Sequence, residues 1–285
     1  MLRTEEFLES LSSFSRLHRA QRWEGTFGDF LTTVLPSSPA ALARTSHQYI
    51  WDMLRWHGHA ENPEATETVK ARELLKRELF GIDDPLSRVV EYFKAAAAGS
   101  DVGRRLLLLL GPPSGGKSTL AILLKRGLEE YSRTDDGALY AIKGSPLRES
   151  PLNLIPASLR PEFRDRYGVG VQGELSPWAR DLVERHYEGD FVRVPVERIF
   201  LSEASRAGIG TYAPHDPTTA DIADLVGSVD LAKVAQIGDE GDPRAWSWSG
   251  AVYAASRGVL EMIEILKVKR EFLYLLLTLT QEKNV

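Results

Sequence analysis

Leu106-Leu107-Leu108-Leu109-Leu110-Gly111-Pro112-Pro113-Ser114-Gly115-Gly116-Lys117-Ser118 decides the fold. Five bare apolar residues ahead of Gly-Pro read as a short strand buried on both faces, as in parallel sheets. The loop after it fills every fixed position of G-x-x-x-x-G-K-[ST] with Gly111, Gly116, Lys117 and Ser118. Such glycines let backbone N–H groups turn inward around phosphate oxygens, and Pro112, Pro113, Ser114 and Gly115 complete the cradle. Lys117 brings a compact positive charge to the β- and γ-phosphates. Ser118 offers a hydroxyl to Mg2+, with Thr119 beside it at the start of a helix. From Ser118 to Tyr131, Leu120, Leu123, Leu124 and Leu128 recur at helical spacing. The loop thus stands between a strand and a helix whose positive dipole end faces the anion. That context separates it from a chance glycine-rich turn and points to ATP with Mg2+.

Downstream, Leu139 to Ile142 reads as a second short strand, and residues 144–180, rich in Pro, Gly and Arg, as an irregular insertion. Phe191 to Phe200 sets Val192, Val194 and Val196 against Arg193 and Glu197, the alternation of a half-exposed strand. Gly208 to Pro217 reads as a loop, Asp221 to Val226 as a short helix, Gly258 to Ile265 as the last strand and Phe272 to Thr280 as an apolar helix. Upstream, Asp84-Pro85 opens a helix that runs through Val89, Val90, Tyr92 and Phe93 to Ala98. Before it, Glu67 to Phe80 reads as a charged amphipathic helix. Residues 1–60 read as helical, with Phe7, Leu8, Leu11, Phe14 and Leu17 on one face, a break at Pro36-Ser37-Ser38-Pro39, and Ile50, Met53 and Leu54 at helical spacing. His57-Gly58-His59-Ala60-Glu61-Asn62-Pro63 reads as a linker. Its two histidines and glutamate fit a polar loop better than a metal site, because no further ligand is arranged around them. The expected architecture is α/β: a parallel sheet flanked by helices, behind an N-terminal helical region at 1–62.

The 285 residues are 43% hydrophobic and 26% charged, enough for a sizeable core. A net charge of −5, with no strong basic stripe, argues against a nucleic-acid partner. The chain has no cysteine, which removes disulfides, thiol nucleophiles and thiolate metal sites. Met1 to Ser15 lacks the apolar core of a secretory signal, and the longest apolar runs are too short for a bilayer. The expectation is a cytoplasmic protein without membrane contact.

Phosphoryl chemistry also needs acids near Mg2+ and the attacking water. Arg257-Gly258-Val259-Leu260-Glu261-Met262-Ile263-Glu264 stands where the acidic strand of such a site belongs, with Ile263-Glu264 in place of the usual Asp-Glu. Glu264 is the candidate for positioning water. Glu261 lies on the opposite face if the segment is a strand and shares a face with Glu264 if it is a helix. The alternative is two solvated glutamates near a helix start. Two look-alikes carry little weight. Gly168-Val169-Gly170-Val171-Gln172-Gly173 matches G-x-G-x-x-G, and Tyr140-Ala141-Ile142-Lys143 resembles the lysine strand of eukaryotic-type kinases. They occur in the wrong order, with no H-R-D or D-F-G after them. G-x-S-x-G is absent. Trp246 and Trp248, near Gly250 and Tyr253, fit either a partner-facing loop or a packed cluster.

Several segments together resemble the PrkA family of bacterial proteins, usually called serine protein kinases. They are Trp23-Glu24-Gly25-Thr26-Phe27, Ala43-Arg44-Thr45-Ser46-His47, Leu79-Phe80-Gly81-Ile82, Gly208-Ile209-Gly210-Thr211-Tyr212, Asp221-Ile222-Ala223-Asp224-Leu225-Val226-Gly227, Asp242-Pro243-Arg244-Ala245, Ser256-Arg257-Gly258-Val259-Leu260-Glu261 and Thr278-Leu279-Thr280-Gln281-Glu282. They fall in family order around an intact phosphate loop. The resemblance implies a P-loop NTPase of AAA+ type over 63–285, with Phe80, Gly81 and Ile82 bordering the adenine. It also implies that Glu261 and Glu264 belong to the family's own version of the acidic strand. Relatives often carry cysteines near the counterpart of Leu175-Ser176-Pro177-Trp178, where this chain has none. AAA+ modules continue into a polar sensor strand, an arginine finger and a helical lid, and commonly form rings with the site completed by a neighbour. Those parts are expected outside this sequence, which ends at Val285. The functions left open are an ATPase module labelled protein kinase, an ATP-driven remodelling motor acting on proteins and coupled to proteolysis, and a nucleotide-switched interaction module.

Overall fold

The computed structural model describes residues 2–214 and 221–281. Nine helices of seven residues or more are described: α1 Leu2–Ala20, α2 Ser46–Glu61, α3 Glu67–Lys76, α4 Asp83–Ala97, α5 Lys117–Ser132, α6 Arg160–Tyr167, α7 Pro177–Tyr187, α8 Leu231–Ile237 and α9 Arg270–Gln281. The strands are β1 Glu24–Thr26, β2 Leu139–Ile142, β3 Pro195–Ile199, β4 Ile209–Tyr212, β5 Ser228–Val229, β6 Trp246–Ser247 and β7 Val259–Met262.

The main core is helical. Helix α2 starts on a capping box in which the Thr45 and Gln48 side chains each accept from the other's backbone N–H. From there Tyr49, Ile50, Met53 and Leu54 face inward, at the spacing of one helix face. They meet Leu74 and Leu75 of α3, Val89, Val90 and Phe93 of α4, and Leu120, Leu123, Leu124 and Leu128 of α5 in one cluster. The expected boundary near residue 62 therefore falls inside a shared core. A second cluster joins Phe27, Phe30 and Leu35 to Ile142, Leu152, Leu154, Val194 and Val196. It turns the stretch at 144–180 from a loose insertion into a packed one, containing α6 and the start of α7.

The sheets are small. Strands β1, β3 and β2 form an antiparallel sheet in that order, with Gly25 opposite Val196 and Ala141 opposite Glu197. Strand β4 pairs parallel to β7, with Thr211 opposite Glu261. Strands β5 and β6 form a short antiparallel pair. The broad parallel sheet of the sequence reading is thus represented by one parallel pair.

Three expectations need correction. Leu106 to Leu110 is not a strand buried on both faces: it runs without a ladder, Leu107 and Leu109 pack on the helical core, and Leu106, Leu108 and Leu110 are exposed. Its apolar run is right for a sheet interior, but among the described residues no strand lies beside it to accept its backbone bonds. The expected linker at 57–63 is mostly the last turns of α2. There Gly58 lies so close to α3 that a Cβ would stand 1.9 Å from the Lys70 carbonyl oxygen. Val192 is exposed in a short turn at Phe191–Arg193, so the alternating strand begins only at Pro195. In addition, the stretch Gly208 to Pro217 read as a loop holds strand β4 at Ile209–Tyr212, paired to β7; its residues from 215 onward, the side chain of Leu17 and the end of the chain from 282 lie outside the described residues.

Candidate functional site

The phosphate loop has the backbone its residues suggest. Ser114 and Gly116 take left-handed conformations, φ 60° and 81°, and Gly115 donates its N–H to the Pro112 carbonyl at 3.3 Å. Gly116 caps the N-terminus of α5, so the N–H groups of Lys117, Ser118 and Thr119 lie in the first turn with no intrahelical acceptor. Lys117 Nζ donates back to the Gly111 and Pro112 carbonyls at 2.9 and 2.6 Å, which holds the ammonium over the loop. Ser118 is exposed. Orphan N–H donors, a captive ammonium and an open hydroxyl together suit a polyphosphate with a hard cation.

The hinge at Leu79 to Ile82 comes to the same place. A Cβ on Gly116 would stand 2.7 Å from Leu79 Cδ2 and 3.6 Å from Ile82 Cδ1. Gly81 turns the chain at φ 73°, and the Phe80 ring is 81% exposed beside the loop. An open aromatic face next to a phosphate cradle is suited to stack on a base.

The two glutamates part company, as strand geometry requires. Glu261 on β7 is ion-paired to Lys125 Nζ at 2.5 Å. Lys125, buried on α5, also donates to Glu203 Oε1 and Thr211 Oγ1, each at 2.6 Å, and the Thr211 hydroxyl donates to Glu203 at 2.7 Å. Burial opposes the Lys125 charge, but the bonds to Glu203 and Glu261 outweigh it and hold the ammonium above the ordinary lysine value. Glu264 lies past the end of β7 in a left-handed turn, φ 56°, and pairs with Lys267 at 2.9 Å. Lys117, Ser118, Glu261 and Glu264 all line one cleft of about 2590 Å³, whose other wall is Leu106 to Leu110. Nucleotide-sized pockets are usually about 300–1,000 Å³, so this cleft holds more than a ligand alone requires.

Sequence reading had no means to find Lys125 or Glu203. Lys125 is a lone charge among inward leucines of α5, and its partners come from distant segments. The decoys resolve. Gly168 to Gly173 follows helix α6 and precedes no helix start of the required kind. Lys143 pairs with Glu24 at the edge of the antiparallel sheet. Trp248 stacks edge-on against Tyr253 at 5.1 Å and Trp246 at 6.5 Å, a packed cluster. His57 is buried and bonds the Gly127 carbonyl at 3.3 Å. Among the described residues no group of three or more metal-ligating side chains exists, and no helix is long and apolar enough to cross a membrane.

Comparison with known proteins matches residues 26–285 to the family model described as PrkA AAA domain. The chain belongs to the PrkA AAA family. The PrkA relative from Bacillus subtilis (strain 168), named ATP-dependent protease PrkA, is 45% identical over 98% of this chain and 43% of its own length. The serine/threonine kinase YeaG of Escherichia coli (strain K12) is 32% identical over 76% of this chain and 34% of its length. A Lon protease of Fervidobacterium nodosum is 28% identical over 57% of this chain and 22% of its length. The chain therefore spans less than half the length of these relatives. No solved structure matches it. An ATP-binding domain of PrkA type accounts for the loop, its helix and the family match together.

Proposed function

We propose that this chain binds ATP with Mg2+ at Gly111 to Ser118 and Thr119, and hydrolyses it as the ATPase core of a PrkA-type protein. The geometry of the loop carries the reading: left-handed Ser114 and Gly116, orphan first-turn N–H groups, and Lys117 poised over both. Lys117 exchanges its two carbonyl bonds for phosphate oxygens, while the first-turn N–H groups hold the β-phosphate. Ser118 is the protein's hydroxyl for Mg2+, which when bound neutralises charge on the β- and γ-phosphates. Phe80, Gly81 and Ile82 flank the base. Glu264, exposed at the same cleft, orients the attacking water. Glu261 is spent on Lys125 and is not the base.

The whole protein's task is a proposal of the same standing. Residues 63–285 form the ATPase core, and α2 of the 1–62 region packs on it. Assembly into a ring supplies groups to each site, and the protein works in the cytoplasm on a protein substrate. The relatives' names divide between protease and kinase. The lysine of the kinase look-alike, Lys143, pairs with Glu24 at the sheet edge and does not line the cleft. That favours an ATP-driven remodelling role over phosphorylation of protein. Incubation with γ-labelled ATP separates the two: free phosphate supports the motor, and label on protein supports the kinase. Lys117→Ala should weaken ATP binding about 10- to 100-fold, the size of a lost charge-assisted bond of roughly 1.5–3 kcal/mol. Unchanged affinity by calorimetry would defeat the assignment.

A further inference from the structure

Lys125 is a buried charge that nucleotide binding does not use. It is held by two carboxylates and one hydroxyl drawn from three separate segments. One of those carboxylates, Glu261, lies on the strand that ends two residues before the proposed water-positioning acid. Lys125 itself lies on the helix that begins at the phosphate loop. Seven residues of α-helix separate Ser118 from Lys125, about 10.5 Å along the axis at 1.5 Å per residue. Past Glu261, Met262 ends β7 and the chain turns at Ile263 and Glu264, with Glu264 left-handed at φ 56°.

We propose that Lys125 is a positioning residue whose ion pair with Glu261 ties β7 to α5 and so sets where Glu264, just past the end of β7, stands relative to the phosphate-loop helix. The proposal rests on the ATPase reading above. Among the described residues β7 pairs with β4 alone, and the Lys125–Glu261 pair is its charged tie to α5. Glu203 and Thr211 complete the pin from the β4 side, because Thr211 stands opposite Glu261 in the ladder. With two carboxylates on one ammonium, losing one of them leaves Lys125 paired, whereas losing Lys125 leaves two carboxylates facing each other.

The chain has no cysteine, so spin labels can be placed uniquely at Ile122→Cys on α5 and Leu266→Cys beyond β7, both exposed, with Leu266 at the cleft lining and Ile122 away from it. Pulsed EPR on this pair should give one narrow distance. Lys125→Met should broaden or shift it by roughly 3 Å, the rise of one strand residue, and Lys125→Arg should restore it. In the unlabelled protein, Lys125→Met should leave ATP affinity unchanged and lower kcat about 10- to 100-fold, the effect of a small misplacement. Adding it to Glu264→Gln should lower kcat no further. If Lys125→Met does not fold, Glu261→Gln serves in its place, since Lys125 keeps Glu203. Unchanged distances, or a double variant slower than Glu264→Gln alone, overturn the proposal. A parent chain that binds no ATP refutes the ATPase reading instead, and the EPR distances still decide whether the pair sets the register.

Discussion

At the scale of single residues, the chemistry proposed for the phosphate loop is local. Gly116, Lys117 and Ser118 act within one turn of each other, so spacing alone carries the geometry. The acids were half legible. Their strand setting separated Glu261 from Glu264, but the choice between them depended on Lys125, which sequence shows only as one more lysine on a helix. The same cluster makes a pH prediction. The bond from Lys125 holds the Glu203 carboxyl below its ordinary value of 4.5, with burial pulling the other way. The folded protein thus binds that proton less readily than the unfolded chain. The resulting stabilisation is complete above the ordinary value and is lost as pH falls through the lowered one. Glu203 is nearly half exposed, so solvent screening limits the effect to about 1 kcal/mol or less. Thermal unfolding of wild type and Glu203→Gln should differ by a constant amount at neutral pH and converge in acid as pH falls through the lowered carboxyl value. A gap that widens in acid would show that the bond does not act through the carboxylate charge.

At the scale of elements, helices read better than strands. Helices α4, α5 and α9 fall where their apolar periods place them, since a 3.6-residue repeat over three turns has few competitors. Strand β1 went unseen because three residues, Glu24 to Thr26, are too few to show alternation. Helix α2 was cut short by the polar run His57 to Glu61. What continues the helix is tertiary: His57 is sheltered by the Gly127 backbone, and Gly58 lets α3 approach. That close approach is testable. A Cβ at position 58 would meet the Lys70 carbonyl oxygen at 1.9 Å and its carbon at 2.3 Å, and backbone cannot swing aside as a side chain can. Helix propensity alone favours Gly58→Ala by about 0.8–1 kcal/mol. The steric term should reverse that sign, with a net loss of about 1–3 kcal/mol read as a melting temperature several degrees lower. A stabilised Gly58→Ala protein would mean α2 and α3 lie further apart than this packing requires.

At the scale of the whole molecule, the decisive feature is the cleft between Leu106 to Leu110 and β7. The sequence called for a sheet interior there, and the apolar run is built for one, yet its backbone has no ladder. Leu107 and Leu109 are retained by the helical core, while Leu106, Leu108 and Leu110 face outward. Fold class was therefore legible from the loop and helix, and the extent of the sheet was not, because an apolar run specifies burial but not which strand provides it. The consequence is dynamic. Amides without hydrogen-bonded partners exchange with solvent through small local openings, and those in paired core elements only through larger ones. Hydrogen exchange on this chain should show Leu106 to Leu110 among the fastest apolar segments. Leu139 to Ile142, equally apolar but paired to β3, should be far slower, and Leu123 to Leu128 within α5 slower again. Adding ATP with Mg2+ should slow exchange in Lys117, Ser118 and Thr119, whose N–H groups gain phosphate acceptors, and leave Leu106 to Leu109 fast, since a nucleotide supplies no strand. Protection at Leu106 to Leu110 equal to that at Leu139 to Ile142, without nucleotide, would show that this segment finds a partner strand in solution.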